Sequence, residues 1–192
     1  MNFSTLFRLE EKLFLDKKTL VILRWIAIIG QLVAVNSVYF FLKLDFAIFS
    51  AYIILFCGFL SNIFLQFKIR SKQIKDLHAS FFLLYDLIQL TLLLYFTGGI
   101  SNPFSILLII PAIVSSTFLS LGTTFILGIF TFICLICLSI FHQPLPGIHE
   151  QGFTFPKYYL IGFFISILIG LIFLCYFGIR FAGETKKRSD AF

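Results

Sequence analysis

Long apolar runs separated by short polar clusters set the pattern of this chain. A helix that crosses the hydrocarbon core of a bilayer needs about 20 predominantly apolar residues. Six runs meet that requirement, at roughly 19–42, 44–67, 79–97, 103–121, 123–141 and 156–181. Only the tight turn at SLGTT separates the fourth from the fifth, and without it the two would merge into one very long helix. Charge decides the count. With both termini in the cytoplasm, thirteen basic residues fall in three cytoplasmic clusters, Arg8 to Arg24, Lys68 to Lys75 and Arg180 to Arg188, and only Lys43 and Lys157 fall outside. An odd number of spans would carry one of these clusters to the wrong side. The pattern predicts an all-α integral membrane protein with six transmembrane helices and both termini cytoplasmic.

Composition agrees with this reading. Of the 192 residues, 59% are hydrophobic and 12% charged, with a mean hydropathy of +1.01, whereas a soluble domain is about half apolar and a quarter charged. The net charge of +6 does not indicate nucleic acid, because the basic residues flank apolar runs and form no single solvated patch. Cys57, Cys134, Cys137 and Cys175 lie inside apolar runs, where thiols act as small hydrophobes and imply no disulfide framework. Residues 1–18 place Leu6, Leu9 and Leu13 on one helical face, with Phe7 and Phe14 at its edge, as in a helix lying along the cytoplasmic bilayer surface. The first apolar run has no small-residue cleavage site after it and reads as a retained anchor. His142, His149 and Glu150, in the long connection before the last span, lack ligand spacing on a rigid element, so no metal site is assigned.

The stretch TGGISNPF, residues 97–104, interrupts the apolar pattern between the third and fourth spans. One glycine can end a helix in the left-handed conformation. Asn102 followed by Pro103 makes an N-cap and a first-turn proline. A minimal helix-to-helix turn accounts for that much. Three features allow more: glycine backbone left uncovered, first-turn amides of Phe104 and Ser105 free to donate, and the Phe104 ring as an aromatic wall. A flat, carbonyl-bearing, lipid-soluble molecule such as a quinone suits such a place. The residues alone leave both readings open.

Few polar side chains enter the membrane. Asp86 lies about seven residues, roughly 10 Å, into the third span, where an unpaired carboxylate is costly. Arg24 enters the first span from the same side to a comparable depth, and Gln89 shares the Asp86 face at i+3. An Arg24–Asp86 pair is the structural expectation, beside which a proton-coupled relay or a transport site stays open. The scarcity of other buried ionisable groups and the absence of repeats speak against a transporter. A lone aspartate speaks against a prenyl-transferring enzyme, which needs clustered carboxylates for magnesium and pyrophosphate. Pro111 should kink the fourth span.

The stretches TLVILRWIAIIGQ (19–31), LLYDLIQLTLLLYFTGGISNPFSILLIIPAIVSS (83–116) and FHQPLP (141–146) together resemble the membrane-sensing half of the RegB/PrrB family of redox-responsive sensor histidine kinases, in order and spacing along nearly the whole chain. In that family the Gly-Gly-x-x-Asn-Pro-Phe heptapeptide is associated with ubiquinone sensing, and it is intact here as Gly98, Gly99, Asn102, Pro103 and Phe104. The resemblance implies ubiquinone or a related quinone as the sensed ligand of a homodimer in the bacterial inner membrane. It divides the chain into an amphipathic segment (1–18), a six-helix sensing domain (19–182) and the start of a cytoplasmic linker (183–192), with output through the sixth helix. Those kinases continue into a phosphoacceptor histidine, a redox-active cysteine and an ATP-binding domain. No such histidine or ATP-binding glycine motif occurs in these residues, so the expectation is that this chain by itself has no catalytic residues and reaches a response regulator only through a kinase region. The rival readings are a ligand-free regulatory membrane protein derived from such a sensor, and a small transporter or lipid-modifying enzyme.

Overall fold

The computed structural model describes residues 15–69, 72–144 and 156–189, the last eight of these by helical backbone alone. The expected amphipathic segment, apart from its last four residues, lies outside the described residues, as do His149 and Glu150.

Helices dominate. In chain order they are α1 (Lys17–Asn36), α2 (Ile48–Lys68), α3 (Asp76–Phe96), α4 (Ile110–Phe118), α5 (Leu121–Ile140) and α6 (Lys157–Ser189). A π-helical turn, Ser37–Phe41, extends α1, and a 3-10 helix, Pro103–Ile109, leads into α4. Among the described residues, five helices are long and apolar enough to cross a membrane, while the segment Pro103–Phe118 is apolar but shorter. Two buried clusters fill the middle of the bundle, one around Leu20, Leu83, Ala112, Leu127 and Leu171, the other around Leu87, Leu94, Leu108 and Leu135. Side chains such as Ile26, Phe64, Phe125 and Ile172 point outward and stay exposed, as they do where the surrounding solvent is lipid.

One short ladder accompanies the helices. Leu15–Asp16 (β1) pairs antiparallel with Gln73–Ile74 (β2), Leu15 opposite Ile74. The chain between helices has backbone groups that no helix satisfies, and this ladder, continued by Lys17 N donating to Lys72 O at 2.9 Å, pairs several of them. Lys17 Nζ then donates to Gln66 O (2.8 Å) and Ile69 O (2.6 Å), closing the last carbonyls of α2.

Side-chain contacts fix both ends of the bundle. At the β1–β2 end, the Asp76 carboxylate accepts from Ser120 N (2.9 Å), Ser120 Oγ (2.9 Å) and Thr123 Oγ1 (2.7 Å), so the α4–α5 turn sits beside the start of α3. At the opposite end, Gln143 N donates to Tyr95 O at 2.8 Å, tying the exit of α5 to the exit of α3. The segment Pro103–Phe118 therefore runs from one end to the other. Pro111, expected to kink a continuous helix, instead stands in the first turn of α4, where 3-10 winding gives way to α. Its missing N–H leaves Leu108 O open, and Thr131 Oγ1 of α5 lies 3.2 Å from that oxygen. α6 continues unbroken through residue 182 to Ser189.

Candidate functional site

The loop after α3 is built by its glycines and by Asn102. Gly98 and Gly99 have φ of 110° and 58°, left-handed values that favour glycine. Asn102 works in both directions: its Oδ1 accepts from Phe104 N at 2.9 Å, while its Nδ2 donates to Thr97 O (3.0 Å) and Thr97 Oγ1 (2.9 Å). Ser105 N donates to Asn102 O at 2.9 Å. Pro103 begins the 3-10 helix, where no N–H is needed.

Two expectations about this loop are overturned. The first-turn amides of Phe104 and Ser105 are not free, because Asn102 engages both. The glycine backbone is not uncovered either. Gly98 and Gly99 are buried, and a Cβ on Gly99 would collide with the His142 ring. Local hydrogen bonding within an Asn-Pro turn is cheaper than waiting for a ligand, so the loop satisfies itself. What remains exposed is Pro103 and Phe104, the latter at 47%.

Phe104 faces a partly open cavity of about 580 Å³ between α1, α3 and the segment 103–114. That volume is in the range of small-molecule sites. Asn102, Pro103 and Phe104 line one end together with Thr97, Leu42 and Phe46; Leu20, Arg24, Leu83 and Asp86 line the other, and Gln31 lies between. Gly98 and Gly99 are not in its wall.

A polar layer crosses the bundle at the second end. Arg24 Nε donates to Asp86 Oδ1 (2.9 Å) and Oδ2 (3.0 Å), Arg24 Nη2 lies 2.8 Å from Oδ1, and Nη2 also donates to Ser61 Oγ of α2 at 2.5 Å. Arg24 Nη1 makes no hydrogen bond; the rings of Phe82 and Tyr85, 5.1 and 5.6 Å from the guanidinium carbon, supply cation–π contacts instead. Because α3 starts at Asp76 and not three residues later, Asp86 is ten residues into its helix, about 15 Å at about 1.5 Å per residue and at the midpoint of α3. Gln89 does not join this pair. Its side chain passes over Gly58 of α2, where a Cβ would block it, and Nε2 donates to Gln31 Oε1 of α1 at 3.1 Å.

Sequence reasoning had no role for Ser61, Gly58 or Gln31. Gln31 is seven residues after Arg24 and so on the same face of α1, a signal that could have linked it to the polar layer.

Residues 19–188 match the PilS-like transmembrane domain family. A sensor histidine kinase RegB of Cereibacter sphaeroides is 32% identical over 175 residues, covering 91% of this chain and 38% of that protein. A second RegB sequence from the same species is 33% identical over the same span. The chain thus spans 38% of the length of the curated relatives it matches. No solved structure matches it. With these matches, and with apolar helices built around a shared polar layer, the chain is a multi-pass membrane protein that belongs to the PilS-like transmembrane domain family and corresponds to the membrane-sensing region of RegB-type sensor histidine kinases.

Proposed function

We propose that this chain is the membrane sensor module of a two-component redox-signalling histidine kinase, and that ubiquinone or a related quinone is the ligand it senses, held in the cavity between α1, α3 and the 103–114 segment. One observation carries this reading: Asn102, Pro103 and Phe104 stand in the wall of a largely apolar cavity of drug-sized volume, about 580 Å³. Its lining offers aromatic and branched surface to a ring and a prenyl tail, with few polar groups to orient them. The heptapeptide then acts through Phe104 and Pro103 as walls, while Gly98, Gly99 and Asn102 hold those walls in place.

The proposal includes six crossings in a bacterial inner membrane, with both termini cytoplasmic. Seven 3-10 residues and nine α residues, at about 2.0 and 1.5 Å each, reach roughly 27 Å, close to the thickness of about 30 Å of a hydrocarbon core despite the low residue count. The 33 residues of α6 make a rod of about 50 Å that outruns the bilayer, which suits an output helix. Signalling to a response regulator would run through a kinase region attached to it, in a homodimer. Tags at the amino terminus, near Ser71 and after Asp190 should report cytoplasm, and tags near Gly99 and Gly147 the other side. A cytoplasmic report at Gly147 overturns the six-crossing topology.

The ligand reading is tested by titrating a short-chain ubiquinone into the purified wild type and Phe104→Leu in the same lipid. Loss of the aromatic wall should weaken binding by about 0.5–1.5 kcal/mol, several-fold, with thermal stability unchanged. Equal affinity, or no saturable binding to the wild type, contradicts it.

A further inference from the structure

We propose that the end of the bundle at the β1–β2 ladder is a docking surface for anionic phospholipid, whose headgroup phosphate is held by Lys18, Lys68, Lys72 and Lys75. None of these four residues lines the cavity, so the surface stands apart from the quinone reading.

The ladder is what gathers the charge. Three helices have an end here: α1 begins at Lys17, α2 ends at Lys68 and α3 begins at Asp76. Leu15 pairs with Ile74 and Asp16 with Gln73, and Lys17 N donates to Lys72 O, which lays the start of α1 against the residues that join α2 to α3. Lys17 Nζ closes the group from the side of α2 through its bonds to Gln66 O and Ile69 O. Residues 15–18, 66–69 and 72–76 therefore meet in one place, with five lysines and two aspartates among them, a net charge of +3. Among the described residues no lysine of this group is ion-paired, and the Asp76 carboxylate is turned to Ser120 and Thr123. Leu15 and Ile74 are buried, while Lys18, Lys68, Lys72 and Lys75 are exposed.

Position selects the partner. Charge alone would suit any anion, but two of these ammonium groups terminate apolar stripes that face lipid. Phe56, Leu60 and Phe64 precede Lys68 at four-residue steps, and Ile22 and Ile26 follow Lys18 at the same spacing. Each stripe keeps to one helical face, and all five apolar side chains are exposed. An anionic phospholipid meets both surfaces at once, phosphate on the lysines and acyl chains along the stripes. A soluble anion or an acidic peptide gains only the charge. Lysine suits the phosphate as a point-charge partner, and each one near a bilayer surface adds to the attraction for anionic lipid. The opposite end of the bundle has no counterpart: among the described residues its loops carry Lys43, two residues from Asp45, and Lys157.

Trp25 is a built-in probe for the test. It is the sole tryptophan of the chain, partly exposed and seven residues after Lys18, hence on the same face of α1 and about 10 Å deeper. The purified chain is placed in phosphatidylcholine vesicles, and quenching of Trp25 by acyl-brominated phosphatidylglycerol is compared with quenching by acyl-brominated phosphatidylcholine. The wild type should favour phosphatidylglycerol on the order of fivefold, the worth of one lysine near the surface. With Lys18, Lys68, Lys72 and Lys75 all changed to Gln the ratio should fall to about one, and with all four changed to Arg it should persist. The pair Lys43→Gln with Lys157→Gln, at the far end, should leave it unchanged. One measurement needs no variant and decides the matter even if the glutamine chain fails to insert: in about 1 M salt, where the Debye length is about 3 Å, the wild-type preference should collapse. Equal quenching by the two lipids in the wild type, a preference that survives high salt or the glutamine changes, or an equal loss in the far-end pair overturns the docking surface. Inorganic phosphate should lower the preference no more than chloride of the same ionic strength; a larger loss would assign the lysines to free phosphate and overturn the lipid.

Discussion

The two ends of the cavity invite comparison. At one end stands a dense motif, TGGISNPF, rich in the residue types that build binding loops. At the other stand two charged residues separated by 62 positions in the chain. Counting bonds reverses the impression that the sequence leaves. The Phe104 and Ser105 amides are engaged by Asn102, and the glycines are buried, Gly99 against His142, so the loop's contribution to the cavity is mainly apolar wall. The ion pair, which looks like a closed structural unit, leaves part of Asp86 open to the cavity. A short motif of turn-forming residues serves its own backbone first, and what it offers a ligand is what remains afterwards.

Four experiments would break or sharpen that contrast. The largest effect belongs to the polar layer. Asp86→Ala leaves a guanidinium buried without its counterion and should cost about 3–5 kcal/mol, while adding Arg24→Ala should recover part of the loss. Thermal unfolding in lipid reads both, and an absence of recovery would mean that the two side chains do not stabilise one another. Next comes Gly99→Ala. A left-handed backbone at a non-glycine residue costs about 1–3 kcal/mol, and His142 crowds the new methyl group. Adding His142→Ala should relieve the crowding and leave the backbone term; complete restoration would show that the positive φ is not required.

Asn102→Ala should be milder, about 1 kcal/mol in stability from the lost cap. It is also informative in another way. If the loop amides are held by Asn102 as described, the variant frees Phe104 N, and quinone affinity should stay level or rise slightly at matched fold stability. A large loss of affinity would make the Asn102 side chain a direct ligand contact. The smallest effect is that of Phe104→Leu on binding, several-fold, with no change in unfolding temperature.

Much of the fold could be read from the chain, for physical reasons that are easy to name. Apolar run lengths place the helices because the bilayer sets a length that few other constraints impose. The Arg24–Asp86 pair follows from depth and helix direction, since a charge inside a membrane has few places to find a partner. Other features left no such trace. The start of α3 at Asp76 depends on a carboxylate that caps a turn 44 residues away, a tertiary contact without a local signal. The 3-10 winding of Pro103–Ile109 arises from two prolines acting with Thr131 of another helix. Gly58 looks like any helical glycine until Gln89 is seen to pass over it. Unpaired amides were expected at Phe104 and Ser105 because a first helical turn has none of its own partners; the Asn102 carboxamide, already assigned as a cap, was sufficient to remove one of them.

The central claim is that a quinone occupies the cavity between α1, α3 and the 103–114 segment. Photolabelling tests it most directly: a short-chain ubiquinone with an azide on the ring is photolysed with the purified chain in lipid, and the labelled peptides are sequenced with and without excess unmodified quinone. Competable labelling should be confined to peptides that contain cavity-lining residues of these three elements. Labelling that excess quinone does not reduce, or labelling spread over the lipid-facing surfaces of α5 and α6, would contradict it.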